Sequence, residues 1–493
     1  MKRDPRRRPP SKRAPSPARH WVRHAVAIAG LWVFALVTYS NSFHGDLSAD
    51  ADALVHDPRI AAATGTAVQA LFHQQYWNTG VSGLYRPLTS LSYMFNYSVL
   101  GDGVSPAGYH WLNFLLHMIN TGLVYLLGLV IFQRLGAAFL FAGLWSVHPV
   151  MTESVTNIAG RPDLLAGLGV LGGLLAHIRA RDARGWCRIP WLALLVFCFA
   201  VALFSKENAI VLVGVMVAYD IAWMPPDWRN VLPGYAAAFV PAAAFLYVRA
   251  RVLAGAPPLF ALFTDNPLIG AGWWSARLTA LHVIGKYIGL LIWPGALSSD
   301  YSYNSIPLFG WTMRTSSDWA TAAAIAALVA GLVTVLCCLR NRAAWFFLAL
   351  FAIALAPTAN LVFRIGTIMA ERFLYLPAMG FAGCVALAAG RWAPSRPRAC
   401  AAVAVALCCL LAARTYARNN DWSTEANLWK SAVEAVPGNA KARIVTAQVA
   451  LDSKHRDMLH AAADADRAIA ILEPLPDTRI SLSTTRRRQE CIG

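Results

Sequence analysis

The sequence predicts an all-α protein that crosses a membrane many times. Three observations carry this prediction. The chain is 57% hydrophobic and only 14% charged over 493 residues, with a mean hydropathy of +0.46, where a soluble protein carries about 25% charged residues. Its apolar residues fall in runs close to the ~20 residues that a helix needs to cross a bilayer core. When those runs are threaded alternately, the basic residues collect in short loops on one side. Such a chain is neither a soluble globular enzyme nor a disordered segment. The nine cysteines lie mostly in apolar segments or at their ends, without metal-ligand spacing in a polar loop, so no disulfide or zinc site is expected.

The net charge is +17, and residues 1–24 hold nine Lys or Arg against one acid, Asp4. A Pro-rich basic stretch ahead of an apolar run reads as a cytoplasmic membrane anchor rather than a nucleic-acid-binding arm. The first span is expected at 25–41, retained rather than cleaved because no small-residue cleavage site follows it. Further spans are expected at 111–132, 135–150, 163–179, 189–205, 208–224, 231–253, 319–339, 343–357, 373–390 and 399–416, about eleven in all. A twelfth run, 277–297, carries Lys286 in its middle. If it crossed, Arg340, Arg342, Arg391, Arg396 and Arg398 would fall outside, so it reads as an outer-face or re-entrant helix. The C-terminus is then outside. The inner loops are short and basic, with no comparable polar clusters. The expected organisation is a basic tail over 1–24, a membrane domain over 25–417, a short helical segment over 418–480 and a tail over 481–493. Two long outer excursions, 42–110 and 254–318, interrupt the membrane domain.

The polar residues concentrate on the outer side. Asp46, Asp50, Asp52 and Asp57 fall within twelve residues just past the first span. Carboxylates there suit a general base at the membrane surface or hard oxygen ligands for a divalent cation. The structural alternative is a solvated acidic loop. Arg86, in Tyr85-Arg86-Pro87-Leu88, either binds a lipid phosphate or snorkels to the interface. His148 and Glu153 follow the third span, and Arg161 and Asp163 open the fourth. Lys206 and Glu207 follow the fifth. Ionisable groups at helix ends facing a cavity are functional candidates; salt bridges and helix caps are the alternative. Asp300 lies in the long excursion. Glu371 and Arg372 stand side by side atop an apolar helix, so they pair with neighbours or Arg372 faces an anion.

The order of these pieces resembles the transmembrane-and-tetratricopeptide-repeat O-mannosyltransferase family and its bacterial relatives. The matching stretches are Tyr85-Arg86-Pro87-Leu88, Tyr109-His110-Trp111-Leu112-Asn113, His148-Pro149-Val150-Met151-Thr152-Glu153-Ser154-Val155 and Gly160-Arg161-Pro162-Asp163-Leu164-Leu165. Phe204-Ser205-Lys206-Glu207-Asn208, Trp293-Pro294 through Asp300-Tyr301-Ser302, and the run Gly366 to Pro377 complete the set. The resemblance spans about 40–430 and implies a GT-C-type glycosyltransferase bundle. In that family the expected base is an acid of the first outer loop, in a pair of consecutive Asp residues before an Asn-Pro. Here Asp57-Pro58 stands at the Asn-Pro place, Asp50 lies seven residues earlier, and Ala49 fills the other slot. Asp52 is close by. After the last span, Arg418-Asn419-Asn420-Asp421-Trp422, Leu428-Trp429-Lys430 and Pro437-Gly438-Asn439-Ala440-Lys441-Ala442 resemble the entry into helical repeats, with room for one or two of about 34 residues.

What the resemblance implies is transfer of a sugar, mannose in the named family, from a polyprenyl-phosphate donor. The acceptor hydroxyl belongs to a protein Ser or Thr, or to a lipid or glycan. Asp50, with Asp52 in reserve, is the expected base. Arg372 and Arg86 are the first expected phosphate contacts, followed by Lys206, Arg161 and His148, with Glu153, Asp163, Glu207, Asp300 and Glu371 in supporting places. The step would be a single inverting displacement. A divalent cation is left open, because no metal constellation is strong. A transporter and a non-catalytic scaffold are the competing readings. The Ala- and Arg-rich composition suggests a bacterial inner membrane with periplasmic outer loops.

Overall fold

The protein is described from a computed structural model over residues 17–78, 83–224, 227–255, 262–311, 313, 315–337, 341–452 and 457–475. The predicted basic tail before residue 17 and the predicted tail 481–493 lie outside the described residues. Among the described residues, all regular structure is helical.

The first span is α1 (Pro17–Tyr39). The outer excursion then folds into a small helical layer: α2 (Ala49–Val55), α3 (Pro58–Ala62), α4 (Gly65–His73) and α5 (Pro87–Met94). This layer has its own apolar centre of Leu54, Val55, Ile60, Leu71, Tyr76, Tyr93, Met94 and Tyr109. Asp57 starts α3 by accepting the Arg59 amide at 2.9 Å, and the buried Arg59 guanidinium returns to the same carboxylate. Asp57 is therefore a structural anchor.

The bundle continues through α6 (Pro106–Phe132), α7 (Leu135–Ser146), the short α8 (Thr152–Val155), α9 (Arg161–Asp182), α10 (Ile189–Ser205), α11 (Val211–Ala222) and α12 (Leu232–Leu253). Then come α13 (Trp273–Ile292), α14 (Ser316–Cys337), α15 (Arg342–Leu355), α16 (Pro377–Trp392) and α17 (Pro397–Asp421). Three further helices end the described chain: α18 (Glu425–Ala435), α19 (Ala440–Asp452) and α20 (Met458–Leu472).

Each of the eleven expected segments contains a helix, although 135–150 breaks at Val147-His148 and 338–339 lie outside the described residues. Among the described residues, six helices are long and apolar enough to cross a membrane, with Leu135–Ser146 and Pro149–Val155 forming a seventh candidate bent by 55°. Three of the four expected segments not among these are short. Helices α11, α15 and α16 have 12, 14 and 16 residues, and at 1.5 Å per residue they reach only about 18–24 Å. Each is extended by a 3-10 turn: Glu207–Ile210, Ala356–Thr358 and Glu371–Leu374 respectively. Non-helical backbone at such depth persists only where protein or a wet cavity satisfies it. These turns carry several of the polar candidates.

Close helix contact in the bundle relies on small residues, as expected where lipid supplies no hydrophobic drive between helices. A Cβ on Gly169 of α9 would stand 2.3 Å from the Cys198 carbonyl of α10. The basic-loop ends also hold a polar cluster that the sequence reading did not anticipate. Asp220 of α11 accepts from His177 at 2.9 Å, Arg181 at 3.0 Å and Tyr235 at 2.7 Å. It joins α9, α11 and α12 at their shared end.

Candidate functional site

The candidate residues are brought together by three irregular stretches between helices. The first follows α7. His148 starts a 3-10 turn by accepting the Val150 amide on Nδ1, and its Nε2–H donates to the Leu291 carbonyl at 3.0 Å. Both ring nitrogens are used, so His148 fixes α13 against this turn. Glu153 follows on α8. A Cβ on Gly160 would lie 2.6 Å from the Glu153 carbonyl, so only glycine lets the chain fold back into α9.

The second stretch is Lys206 and Glu207, between α10 and α11. The third is the loop before α16, shaped by Asn360 in the left-handed region (φ 57). Its side chain accepts the Ile365 amide at 2.9 Å and donates to the Thr367 and Ile368 carbonyls. Trp145 Nε1 donates to the Tyr375 carbonyl at 2.9 Å, and the Tyr375 hydroxyl meets His117 and Asn120. These contacts hold Arg372 in place from both sides.

Three cations then meet three carboxylates. Arg372 donates through its guanidinium to Glu153, and its backbone amide donates to the other Glu153 oxygen at 2.8 Å. Arg86 grips Glu207 with two bonds of 3.0 and 2.7 Å. Lys206 Nζ lies 2.5 Å from Asp163 Oδ1. Burial alone would lower the Arg86 pKa, but Glu207 raises it. Burial likewise disfavours the Glu207 charge, yet Arg86 draws its carboxyl down to about 2. Burial lowers the Lys206 pKa, with Asp163 opposing. Arg86 and Arg372 both bear on Lys206, so the pairs form one electrostatic unit. Side-chain exposure ranks the cations: Arg372 at 31%, Arg86 at 14% and Lys206 at 6%. Arg372 is the most open to an incoming anion.

The two acids of the first outer layer separate. Asp50 and Asp52 sit two apart on α2, a spacing that turns them to different faces. Asp50 is exposed and contributes to the field at Arg372, Lys441, Tyr76 and Tyr93. Asp52 pairs with His56 at 3.1 Å and is 58% exposed. Of the two, Asp50 is the acid whose charge bears on Arg372.

Other candidates are built into the frame. Arg161 is wholly buried, with bonds to Asn113, Asn96, Ser92 and Tyr109 at 2.7–3.1 Å and its guanidinium 4.5 Å from the Tyr93 ring centre. It staples the first outer layer to α6 and α9. Glu371 does not contact Arg372. Its Oε1 accepts the Ser298 amide at 2.6 Å and the Tyr301 hydroxyl at 2.8 Å. Burial lifts its pKa to about 7, with Arg418 opposing and Glu153 adding. Asp300 accepts from Ser302 and from Asn439, each at 2.8 Å, and faces Lys441 at 3.4 Å.

Sequence reasoning missed Lys441, Asn439 and Arg418. Asn439 and Lys441 stood in a stretch read only as a repeat entry. Asn439 indeed starts α19, accepting the Ala442 amide at 3.0 Å. Its spare donor reaches Asp300, which sequence spacing does not reveal. Among the described residues, no group of three or more His, Cys, Asp or Glu is placed to hold a metal ion.

The fold and site define a multi-pass helical membrane protein with a paired cation–carboxylate cluster between its short helices. No family model matches the chain. Among curated proteins, protein O-mannosyl-transferase TMTC4 of Homo sapiens is 30% identical over 468 residues, covering 83% of this chain and 61% of that protein. Protein O-mannosyl-transferase TMTC3 of Mus musculus is 27% identical over 450 residues, covering 83% and 47%. The resemblance expected from the motifs is met: the curated homologues are O-mannosyl-transferases at 25–30% identity. The chain spans about three-fifths or less of their length. Among solved structures, ArnT from Cupriavidus metallidurans bound to undecaprenyl phosphate is similar at a TM-score of 0.43 and 14% identity, covering 93% of this chain and 77% of that one.

Proposed function

We propose that this chain is a GT-C-type membrane glycosyltransferase that moves a sugar, mannose by its relatives' names, from a polyprenyl-phosphate donor to a protein hydroxyl. The observation that carries the reading is the exposed Asp50 acting on the field at Arg372, the most open of three clustered cations. Asp50 takes the proton of the acceptor hydroxyl as its oxygen bonds to the anomeric carbon. The bond from that carbon to the phosphate oxygen breaks, and polyprenyl phosphate leaves with the electron pair. Charge growing on the phosphate is met by Arg372 and then Arg86, whose carboxylate partners hold them in place beforehand, as electrostatic stabilisation of a transition state requires. Lys206 and Arg161 position these groups. With no second nucleophile, the step inverts the anomeric centre. The basic loops face the cytoplasm in this reading, and the site faces the periplasm of a bacterial cell. Helices α18–α20 are a repeat-like helical segment.

The test is transfer from a labelled polyprenyl-phosphate sugar in membranes, comparing wild type with Asp50→Asn. Loss of transfer with retained donor binding supports the reading. Full transfer in Asp50→Asn removes Asp50 as the base. Arg372→Ala is expected to weaken donor binding, and unchanged affinity reassigns the phosphate contact.

A further inference from the structure

At the end of the bundle away from this site, the ends of four helices border an open, shallow groove of about 530 Å³. It is lined by Ile131 of α6, Trp223 just past α11, the turn Asn341, Arg342 and Ala343 that opens α15, and Arg391 in the last turn of α16. Arg391 lies at the opposite end of α16 from Arg372, whose 3-10 turn precedes that helix. The 16 residues of α16 put roughly 24 Å between its ends. The groove is therefore separate from the proposed reaction centre.

Its chemistry is two-sided. Arg342 and Arg391 are both exposed, and among the described residues neither has a hydrogen-bond or ion-pair partner. Among the described residues, no acid lines the groove. This contrasts with Arg181 on the same face, which Asp220 neutralises at 3.0 Å. Two guanidinium groups that line one space offer an anion donors from two helices. Guanidinium forks suit phosphate oxygens in paired bonds. The remaining wall sets Ile131, Trp223 and Ala343 beside Asn341, whose side chain is taken up by the Ala344 amide. Ile131 is buried, and the Trp223 ring is fixed by stacking on Tyr219 at 4.7 Å and by an edge contact with Phe346 at 5.5 Å. In the topology read from the sequence, the helix ends that form the groove lie on the basic-loop side, where anionic head groups attract basic residues.

We propose that this groove binds the phosphate head group of an anionic membrane lipid, drawn from the leaflet on the basic-loop side. Arg342 and Arg391 hold the phosphate, and an acyl chain runs along Ile131 and Trp223. The lipid then joins the ends of α6, α11, α15 and α16. Inorganic phosphate shares the anion chemistry but has no chain to place on the apolar wall.

The test uses the full chain purified in detergent and native mass spectrometry with added phosphatidylglycerol, phosphatidylcholine or inorganic phosphate. Wild type is expected to retain phosphatidylglycerol at least about tenfold better than phosphatidylcholine, a difference of about 1.4 kcal/mol. Arg342→Gln/Arg391→Gln is expected to remove that preference. Both residues are exposed, so the variant should fold, and an unchanged thermal midpoint checks this. Arg184→Gln/Arg398→Gln makes the same charge change at exposed sites outside the groove, and is expected to leave the preference intact. Equal retention in wild type and the groove variant overturns the proposal. So does an equal loss in both double variants, which indicates diffuse surface charge. Displacement of phosphatidylglycerol by millimolar inorganic phosphate, with no preference between the two lipids, overturns it in favour of a free-anion site.

Discussion

Substituting Glu371 by Gln tests the electrostatics of the outer loops directly. Glu371 is fully buried, yet its carboxyl oxygen Oε1 accepts two strong donors, the Ser298 amide and the Tyr301 hydroxyl. Its other oxygen, Oε2, has no partner. Burial lifts the pKa from 4.5 to about 7 against the pull of Arg418. The unfolded chain therefore releases this proton near pH 4.5 and the folded chain near pH 7. Between those values the folded state binds more protons, so stability falls as pH rises. A shift of about 2.5 units is worth at most ~3 kcal/mol. Gln carries no titrating proton and keeps an oxygen for the two donors. Relative to wild type, Glu371→Gln should therefore gain up to ~3 kcal/mol between pH 4.5 and 7.5. Thermal unfolding in detergent, followed by tryptophan fluorescence across that range, reads the difference. Parallel curves for the two proteins would refute the reasoning, because they would mean that Glu371 is already ionised at pH 5 in the fold.

Other outcomes follow from the same geometry. Lys206→Met leaves Asp163 buried without its partner and should cost about 3–5 kcal/mol. The double change Lys206→Met/Asp163→Leu should recover most of that loss, and a denaturant midpoint as low as the single variant's would contradict the pairing. Arg161→Lys should cost about 2–4 kcal/mol, because an ammonium cannot reproduce the fork that spans four acceptors. Faster proteolysis within residues 46–105 is the readout, and wild-type resistance would show that the layer is held by other contacts. Lys441→Ala breaks a half-exposed contact and should change global stability by no more than about 1 kcal/mol. Hydrogen exchange in α19 should nonetheless rise, and unchanged protection would mean that Asn439 alone docks that helix.

The helical segments were largely readable, because long apolar runs have few other uses. The short helices were harder. Runs such as 208–224 and 373–390 look continuous in hydropathy, but a polar turn at one end of each winds as a 3-10 helix. Lys206-Glu207 and Glu371-Arg372 were visible as unusual charges at helix ends. Their partners were not. Glu153 and Arg372 are 219 residues apart, and nothing in either stretch selects the other. Adjacent charges also misled: Glu371 and Arg372 follow each other in sequence, yet the 3-10 turn sends one to Tyr301 and the other to Glu153. The resemblance put Asp50 ahead of Asp52, and the helical pitch of α2 turns the two to different faces. Arg161 shows the opposite limit. Its prominence in a motif reflects the acceptors it must satisfy inside the fold.

Pairing every clustered cation with its own carboxylate also governs how an anion reaches them. Arg86, Lys206 and Arg372 together with Glu207, Asp163 and Glu153 make six charges that sum to zero. Beyond a Debye length of about 8 Å in physiological salt, such a group exerts little pull. Encounter rates at this surface should then depend only weakly on ionic strength, unlike those of an unpaired basic cleft. Any anion that docks does so by partner exchange, taking over a guanidinium from a carboxylate that is left behind at close range. Lateral arrival through the membrane suits such a surface better than capture from solution.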